Sequence, residues 1–539
     1  MNNSLSGERE LKAGAVPAKA DIGGLRSLLL PSLSDCLFIV LIFVLFVGGY
    51  GWITLLVDGD TGVHIRTGDF ILASHSAPVH DPFTYSVPDK PWFAWEWLSD
   101  VVFAVAWRLA GLKGVVLLSG TVVCLAITIL FRHMIWRDAG VHIALGISLL
   151  VAGALRFHML ARPHIFTTLL TVVTLWMLDR DWVKPSKAVW LLVPTAVLWV
   201  NLHGGFLVLI LSLATFTAAA VLARQPQHAW RYGSLTAAGT VATLLNPYGW
   251  RLHLHLWSYL RSDWLVKSID EFKSPEFRSD AMFMFEILMF LGLIFVVKLI
   301  YARQYPDVLL ILSWAHAALL SVRHVTIYAI VSGPPVAQQL ETLWDRWTML
   351  EPRGSVLGAV RDLVRDLKPH AMRTSVWGPV FVGILAFTNL GGNWPSDFPS
   401  VRFPADLVTR NAGVLSGRRG TRILNPDFWG GYLTYRLYPC QCVFIDGRSD
   451  YFGPKILGEY ATLRSAGENW QSLTDRYRFQ FVLIPRDWPL TSALRQRPDW
   501  ILRDQERDAM LFEHQKTGVS AVQTDVYNPR PFVQPSEQP

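Results

Sequence analysis

What most constrains this chain is a succession of apolar runs separated by short basic loops. The runs fall near residues 34–57, 101–131, 141–157, 164–178, 188–200, 205–223, 233–246, 281–300, 307–322, 325–340 and 376–390. A stretch of roughly 15 to 25 apolar residues crosses a bilayer core as a helix, the shorter ones in a tilted bundle. The pattern predicts about eleven transmembrane helices, with an amphipathic surface helix at the start of the second run. Composition agrees: 51% of the residues are hydrophobic, 17% charged and 12% aromatic, with a mean hydropathy of +0.30. Such a chain has room for one soluble domain beside its membrane part. The first run is too long for a signal-peptide core and lacks a small-residue cleavage site, so it is expected to stay in the chain.

The short loops predict an orientation. With the N-terminus inside, RHMIWRDAG, DRDWVKPSK, RQPQHAWR, KLIYARQYPD and the Arg-rich stretch 346–373 lie in the cytoplasm, as positive-inside topology demands. The net charge of +7 is therefore read as topology rather than as a nucleic-acid footprint. The other side receives the loop 58–97, the turns ARPH and NLHGG, the loop 247–279, Arg323–His324 and everything after about 391. In that last segment CQCVFIDGR and RFQFVLIPRDW read as short strands and GPKILGEYATLRSA as a helix, a small α/β domain over 391–525. Residues 1–32 and 526–539 are expected to be loose. The membrane part is thus 33–390. Four cysteines are too few for a disulfide framework, and the C-x-C at Cys440–Cys442 is weak evidence for metal.

The candidate chemistry gathers on the outer side. Asp58, Asp60, His64 and Arg66 end the first apolar run and begin a loop of about forty residues, with Asp60, His64 and Arg66 in the pattern D-x-x-x-H-x-R; in a short helical or looped continuation Asp60 and His64 can point to one side. They can cap a helix at the headgroups or converge on a ligand. Glu96, between two tryptophans of FAWEWL, is either an acid with a raised pKa or a solvent-facing residue on an interfacial helix. Arg156, Arg162, His164, His203, Arg251, His253, Arg323 and His324 lie near outer helix ends. Together they could line a cationic pocket for phosphate or pyrophosphate; singly, each could snorkel to headgroups. In the tail, Asp427, Trp429, Tyr432, Asp446, Arg448 and Asp450 fall in NPDFWGGYLTYRL and VFIDGRSDYFG, a substrate rim or a plain turn with a salt bridge. Walker, zinc-protease, hydrolase-elbow and dinucleotide motifs are absent, which disfavours ATP coupling and the familiar hydrolases.

An N-in first helix, a large outer loop opening on Asp, about eleven helices and an extracytoplasmic C-terminal domain resemble the GT-C superfamily of polytopic glycosyltransferases. More specifically, DGDTGVHIRTGDFI, DPFTYSV with W-x-W-E-W-L, ARPHIF, NLHGGF, LNPYGWRL and WGGYLTYRL with VFIDGR resemble a group of bacterial membrane proteins placed in that superfamily, over most of residues 50–515. A more distant likeness is to oligosaccharyltransferase catalytic subunits, whose outer-loop D-P-x-x-H-x-R element Asp60, His64 and Arg66 match in spacing, and whose W-W-D-Y-G element FWGGY at 428–432 faintly echoes. The resemblance implies a polyprenyl-phosphate sugar donor and an acceptor that is lipid, glycan or protein. It implies Asp60 as the base that takes the acceptor proton with inversion, and Arg162, Arg251 and Arg323 as partners of the departing lipid phosphate. In the oligosaccharyltransferases the first Asp helps hold a divalent metal; here RFHMLARPH offers no carboxylate where those enzymes supply another ligand, which leaves a divalent metal open. The expected setting is the bacterial inner membrane. The rival readings are a transporter or lipid-carrier-binding component of envelope polysaccharide assembly, and an inactive scaffold; a transporter would place its polar residues at mid-membrane in paired halves.

Overall fold

The computed structural model describes residues 28–47, 51–88, 90–349, 351–352, 355–373, 375–390, 394–416 and 420–515. The expected loose tail 526–539 and most of the expected loose N-terminus lie outside them. The chain divides into two compact units: Met1–Leu55 with Ala106–Trp394, and Leu56–Val105 with Pro395–Pro539.

The first unit is helical. Among the described residues, four helices are long and apolar enough to cross a membrane, Trp97–Trp136, Val141–His158, Gly204–Leu222 and Met282–Tyr301. Leu33–Phe46, Lys187–Leu202, Tyr305–Leu320 and Trp377–Phe387 are shorter apolar helices. The first of the four divides at Ala110 and Gly111, where φ turns to +60° at the glycine. Val325–Thr348 packs against Val141–Leu155, Asp280–Tyr301 and Tyr305–Leu320. Nearly every residue from Val325 to Ala337 is buried, which suits a helix apolar on all sides. Several hydroxyls inside the apolar helices bond back to the fourth preceding carbonyl, as at Ser119, Thr128, Ser148, Thr171 and Ser212, which satisfies them in a dry interior, whereas the buried hydroxyls of Thr121 and Thr174 find no partner among the described residues. The buried Arg137 is likewise paired, 2.9 Å from Asp179 and forked onto both oxygens of Asp307 at 2.9 and 2.5 Å, while His133 meets Asp179 at 2.7 Å.

In the second unit a four-stranded sheet has the order β1 (Ile423–Leu424), β2 (Phe481–Pro485), β4 (Ala509–His514), β3 (Trp500–Gln505). β1 and β2 are parallel and the other pairs antiparallel. The expected strand in RFQFVLIPRDW is β2, and the expected helix lies in Ser449–Arg464. CQCVFIDGR is different: only Val443 bridges, to Thr84 and Ile423. The cause is Asn425, whose amide oxygen accepts from Phe444 N at 2.9 Å while its Nδ2 donates to the Ile445 carbonyl at 2.7 Å. The side chain takes the positions a neighbouring strand would fill. The outer loop belongs to this unit: Val443 N donates to the Phe83 carbonyl at 3.0 Å, and Tyr85 OH to the Ile423 carbonyl at 2.9 Å.

Candidate active site

The helix Asp60–Ser74 starts where Asp58 turns back, its Oδ1 accepting from Asp60 N at 2.9 Å. Asp58, one residue ahead of the N-cap Gly59, is thereby tied to the backbone of the first turn. Asp60 stands at the first helical position, where the helix dipole favours an anion. Its carboxylate lies against the IDGR turn, since a Cβ built on Gly447 would sit 2.3 Å from Asp60 Oδ1.

One turn on, His64 is held between two carboxylates. Its Nδ1 is 2.6 Å from Asp100 Oδ1 and its Nε2 3.8 Å from Glu96 Oε2. A buried carboxylate on one nitrogen fixes the ring's orientation. Gly68 permits this approach: a Cβ there would lie 1.9 Å from the Asp100 carbonyl oxygen. FAWEWL, expected to be helical, is extended and then turns, with the helix opening only at Trp97. That turn sets Glu96 beside His64.

Arg66 turns to a structural partner. Nε and an NH2 group donate to the Tyr435 carbonyl at 2.9 and 2.6 Å, and NH1 to Asp69 at 3.3 Å. Burial pulls its pKa below the ordinary arginine value against the opposing pull of Asp69. The helix it reaches, Asp427–Leu437, crosses Asp60–Ser74 backbone to backbone. A Cβ on Gly62 would meet the Gly431 carbonyl oxygen at 2.3 Å, and one on Gly431 the Gly59 oxygen at 2.3 Å. The glycines of WGGY are thus contact surfaces. Trp429 is buried and donates Nε1–H to the Arg402 carbonyl at 2.9 Å.

Asp446 and Arg448 form a closed group with Asp81. The guanidinium meets Asp81 at 3.0 and 3.1 Å and Asp446 at 2.9 and 2.5 Å, with Trp92 stacked 4.6 Å from it. Burial pushes the Arg448 pKa down, but Asp446 and Asp81 outweigh it and hold it well above the ordinary value. Both carboxylates are fully buried.

The remaining expected residues lie in the first unit. Arg162 and Arg323 share Glu271, at 3.5 and 2.5 Å. Burial raises the Glu271 carboxyl, yet the two guanidiniums prevail and bring it down to about 2. His164 Nε2 bonds the His158 carbonyl at 2.6 Å. His203 Nδ1 accepts from Gly205 N at 3.0 Å and lies 2.8 Å from Thr167 Oγ1, so the ring proton belongs on Nε2. A Cβ on Gly205 would sit 2.5 Å from that hydroxyl, which explains the second glycine of NLHGGF, while a Cβ on Gly204 would meet only Leu256 at 3.8 Å. His324 Nδ1 donates to the Ala317 carbonyl at 3.2 Å. Arg156 and Arg251 are exposed.

Asp81, Asp100 and Glu271 were not singled out from the sequence. Asp81 sits in DPFTYSV, where nothing local marks its partner Arg448, 367 residues further on. Asp100 follows Glu96 by four residues, a helical spacing that signals a shared face. Glu271 lies among other charges in DEFKSPEF, with nothing to mark it. Among the described residues no three His, Cys, Asp or Glu side chains gather as a metal site would, so the divalent ion that the oligosaccharyltransferase likeness brings to mind finds no built ligand set there.

Helices that are apolar enough to span, a small terminal sheet and a loop helix opening on Asp60 define a multi-pass membrane protein of the GT-C fold. Two solved GT-C glycosyltransferases share it. The archaeal oligosaccharyltransferase AglB from Archaeoglobus fulgidus, in complex with an inhibitory peptide and a dolichol-phosphate, superposes with a TM-score of 0.58 at 13% identity, covering 84% of this chain and 69% of that one. ArnT from Cupriavidus metallidurans bound to undecaprenyl phosphate gives 0.50 at 13% identity, covering 88% and 97%. The likenesses read from the sequence, to the GT-C superfamily and to oligosaccharyltransferases, hold in the fold. No protein-family model and no curated protein matches the sequence.

Proposed function

We propose that the protein is a membrane glycosyltransferase that moves a sugar from a polyprenyl-phosphate-linked donor to an acceptor hydroxyl. Asp60 takes the hydroxyl proton as that oxygen attacks the anomeric carbon. The bond from that carbon to the phosphate oxygen breaks, and the polyprenyl phosphate leaves with the electron pair. Within the first unit, Arg162 and Arg323 gathered on Glu271 show two guanidiniums placed to hold an anion. His64, gripped by Asp100, holds the acceptor side in register. About eleven helices cross the inner membrane from a cytoplasmic N-terminus, and the segment from 391 to 525 lies outside.

The observation that carries this reading is the placement of Asp60. Asp58 accepts from Asp60 N, and the Asp60 carboxylate stands at a helix N-terminus against the Gly447 turn. The dolichol and undecaprenyl phosphates in the solved relatives of this fold support a lipid-phosphate donor.

The test is native mass spectrometry of the detergent-purified protein incubated with a pool of polyprenyl-phosphate sugars and envelope extract as acceptor. Wild type should bind the lipid and consume it, while Asp60→Asn should bind and not turn over. A bound lipid that wild type never consumes would mean a carrier, and no binding at all would remove the transferase reading.

A further inference from the structure

The helix Val356–Ala371 lies in the Arg-rich stretch and takes no part in the chemistry above. Its sequence, VLGAVRDLVRDLKPHA, sets Val356, Val360, Leu363, Val364 and Leu367 along one stripe, with Arg361, Asp362, Arg365, Asp366 and Lys368 on the opposite side. Such a stripe normally faces a protein core. Here it does not: Val356 is 80% and Leu363 57% exposed, and Leu357, Val360, Val364 and Leu367 are only half-buried.

The polar side anchors the helix to the bundle instead. Arg361 NH1 donates to the Thr348 carbonyl at 2.8 Å, where helix Val325–Thr348 ends. Lys368 Nζ meets Asp138 at 3.0 Å, in the turn just before helix Val141–Leu155. These two anchors are seven residues apart, about 10 Å along a helix. Val356–Ala371 therefore runs from one bundle helix's end to another's beginning, lying across the bundle rather than extending it. At its far end Arg132 binds the Met372 and Arg373 carbonyls at 3.0 and 3.1 Å.

The open stripe adjoins other open apolar surface. The helix packs on Leu33–Phe46 and Val141–Leu155, which themselves expose Val40, Phe43, Val44, Leu145 and Leu149. Val141–His158 is one of the helices apolar enough to span a bilayer, so the medium covering those side chains is lipid. An apolar face between lipid-facing helix ends, with cations and carboxylates on its other side, is how an interfacial helix is built.

We propose that Val356–Ala371 is an in-plane membrane helix whose stripe at Val356, Leu363 and Leu367 sinks into the acyl–headgroup boundary of the bilayer, where it sets the depth of the bundle. Lipid is the occupant, not a second protein, because the stripe continues faces that lipid already covers.

Nitroxide labels at Leu363→Cys and Asp366→Cys, in a cysteine-free background reconstituted in phosphatidylcholine–phosphatidylglycerol nanodiscs, test this by electron paramagnetic resonance power saturation. The label at 363 should collide with oxygen severalfold more than with an aqueous nickel chelate, and the label at 366 should show the reverse order. Equal access of nickel to both sites would overturn the proposal by putting the stripe in water. Protection of 363 from both reagents would overturn it by putting protein there. Should the cysteine-free chain fail to fold, a photo-crosslinking residue at 363 in the natural sequence gives the same answer: a lipid adduct supports the proposal, and a protein adduct or hydration alone refutes it.

Discussion

The approach at Gly68 is the sharpest place to test how the His64 pair is built. In Gly68→Ala the new methyl would begin 1.9 Å from the Asp100 carbonyl oxygen and 2.7 Å from Ala104 Cβ. These neighbours are a backbone oxygen and a short side chain, so neither can swing away. Restoring a contact of about 3.2 Å requires the two segments to separate by about 1.3 Å. That stretches the 2.6 Å bond between His64 and Asp100 to about 3.9 Å, beyond hydrogen-bond reach. Overpacking costs about 1–3 kcal/mol, and a lost hydrogen bond to a charged group about 1.5–3 kcal/mol. Together they come to roughly 2.5–6 kcal/mol, or about 5–24 °C in Tm for a unit of this size. Tryptophan-fluorescence melting in nanodiscs reads the shift. Gly413→Ala is the matched control, since it lies in the helix Ala405–Ser416 with no atom within 4 Å of its Cβ position, and alanine there should be neutral or stabilising by up to about 1 kcal/mol. Equal melting temperatures for the two variants would refute the close-approach argument.

Further predictions concern the charged groups and one hydroxyl. Arg448→Ala leaves Asp81 and Asp446 buried without their cation and should destabilise by about 3–5 kcal/mol; Arg448→Lys should not restore it, because one ammonium cannot fork onto both carboxylates, and urea melts of both variants measure this. Glu271 has its pKa depressed to about 2 from an ordinary 4.5, so its stabilising contribution is fully present above pH 4.5 and lost as pH falls toward about 2. Melting curves over that window should slope for wild type and flatten for Glu271→Gln. The Tyr432 hydroxyl is buried with no hydrogen-bond partner among the described residues, so Tyr432→Phe should melt at the same temperature or higher, by up to about 1 kcal/mol; a marked loss of stability would show that a partner exists.

Much of the architecture was legible in the sequence because it depends on local pattern. The strand in FVLIP and the helix after GPKIL each follow from periodicity that neighbouring residues carry, whereas the helix Asp60–Ser74 falls in a stretch read as the start of the outer loop. CQCVFIDGR failed for a non-local reason: its edge groups are taken by Asn425, 20 residues earlier in the chain than Ile445. The site was legible in residue type more than in role. Asp60 and His64 share a face as their spacing requires, whereas Arg66 and Arg448 look equally suited to a substrate and are committed to Tyr435, Asp69, Asp81 and Asp446. Which partner a long cation finds depends on segments hundreds of residues away, and no local pattern encodes that.

The second unit is assembled from Leu56–Val105 and Pro395–Pro539, with all of Ala106–Trp394 between them. During synthesis at about 5–20 residues per second, the early half must therefore wait roughly fifteen seconds to a minute before β1 and the WGGY helix emerge. For that interval the glycine face of Asp60–Ser74 and the carboxylate of Asp81 have no counterpart, and the nascent chain carries an unpaired half-domain while its membrane helices insert one by one. A ribosome stalled before Pro395 should leave the segment 81–92 open to protease, and release past Gln515 should close it. In this chain the maturation of the candidate site is tied to completion of translation.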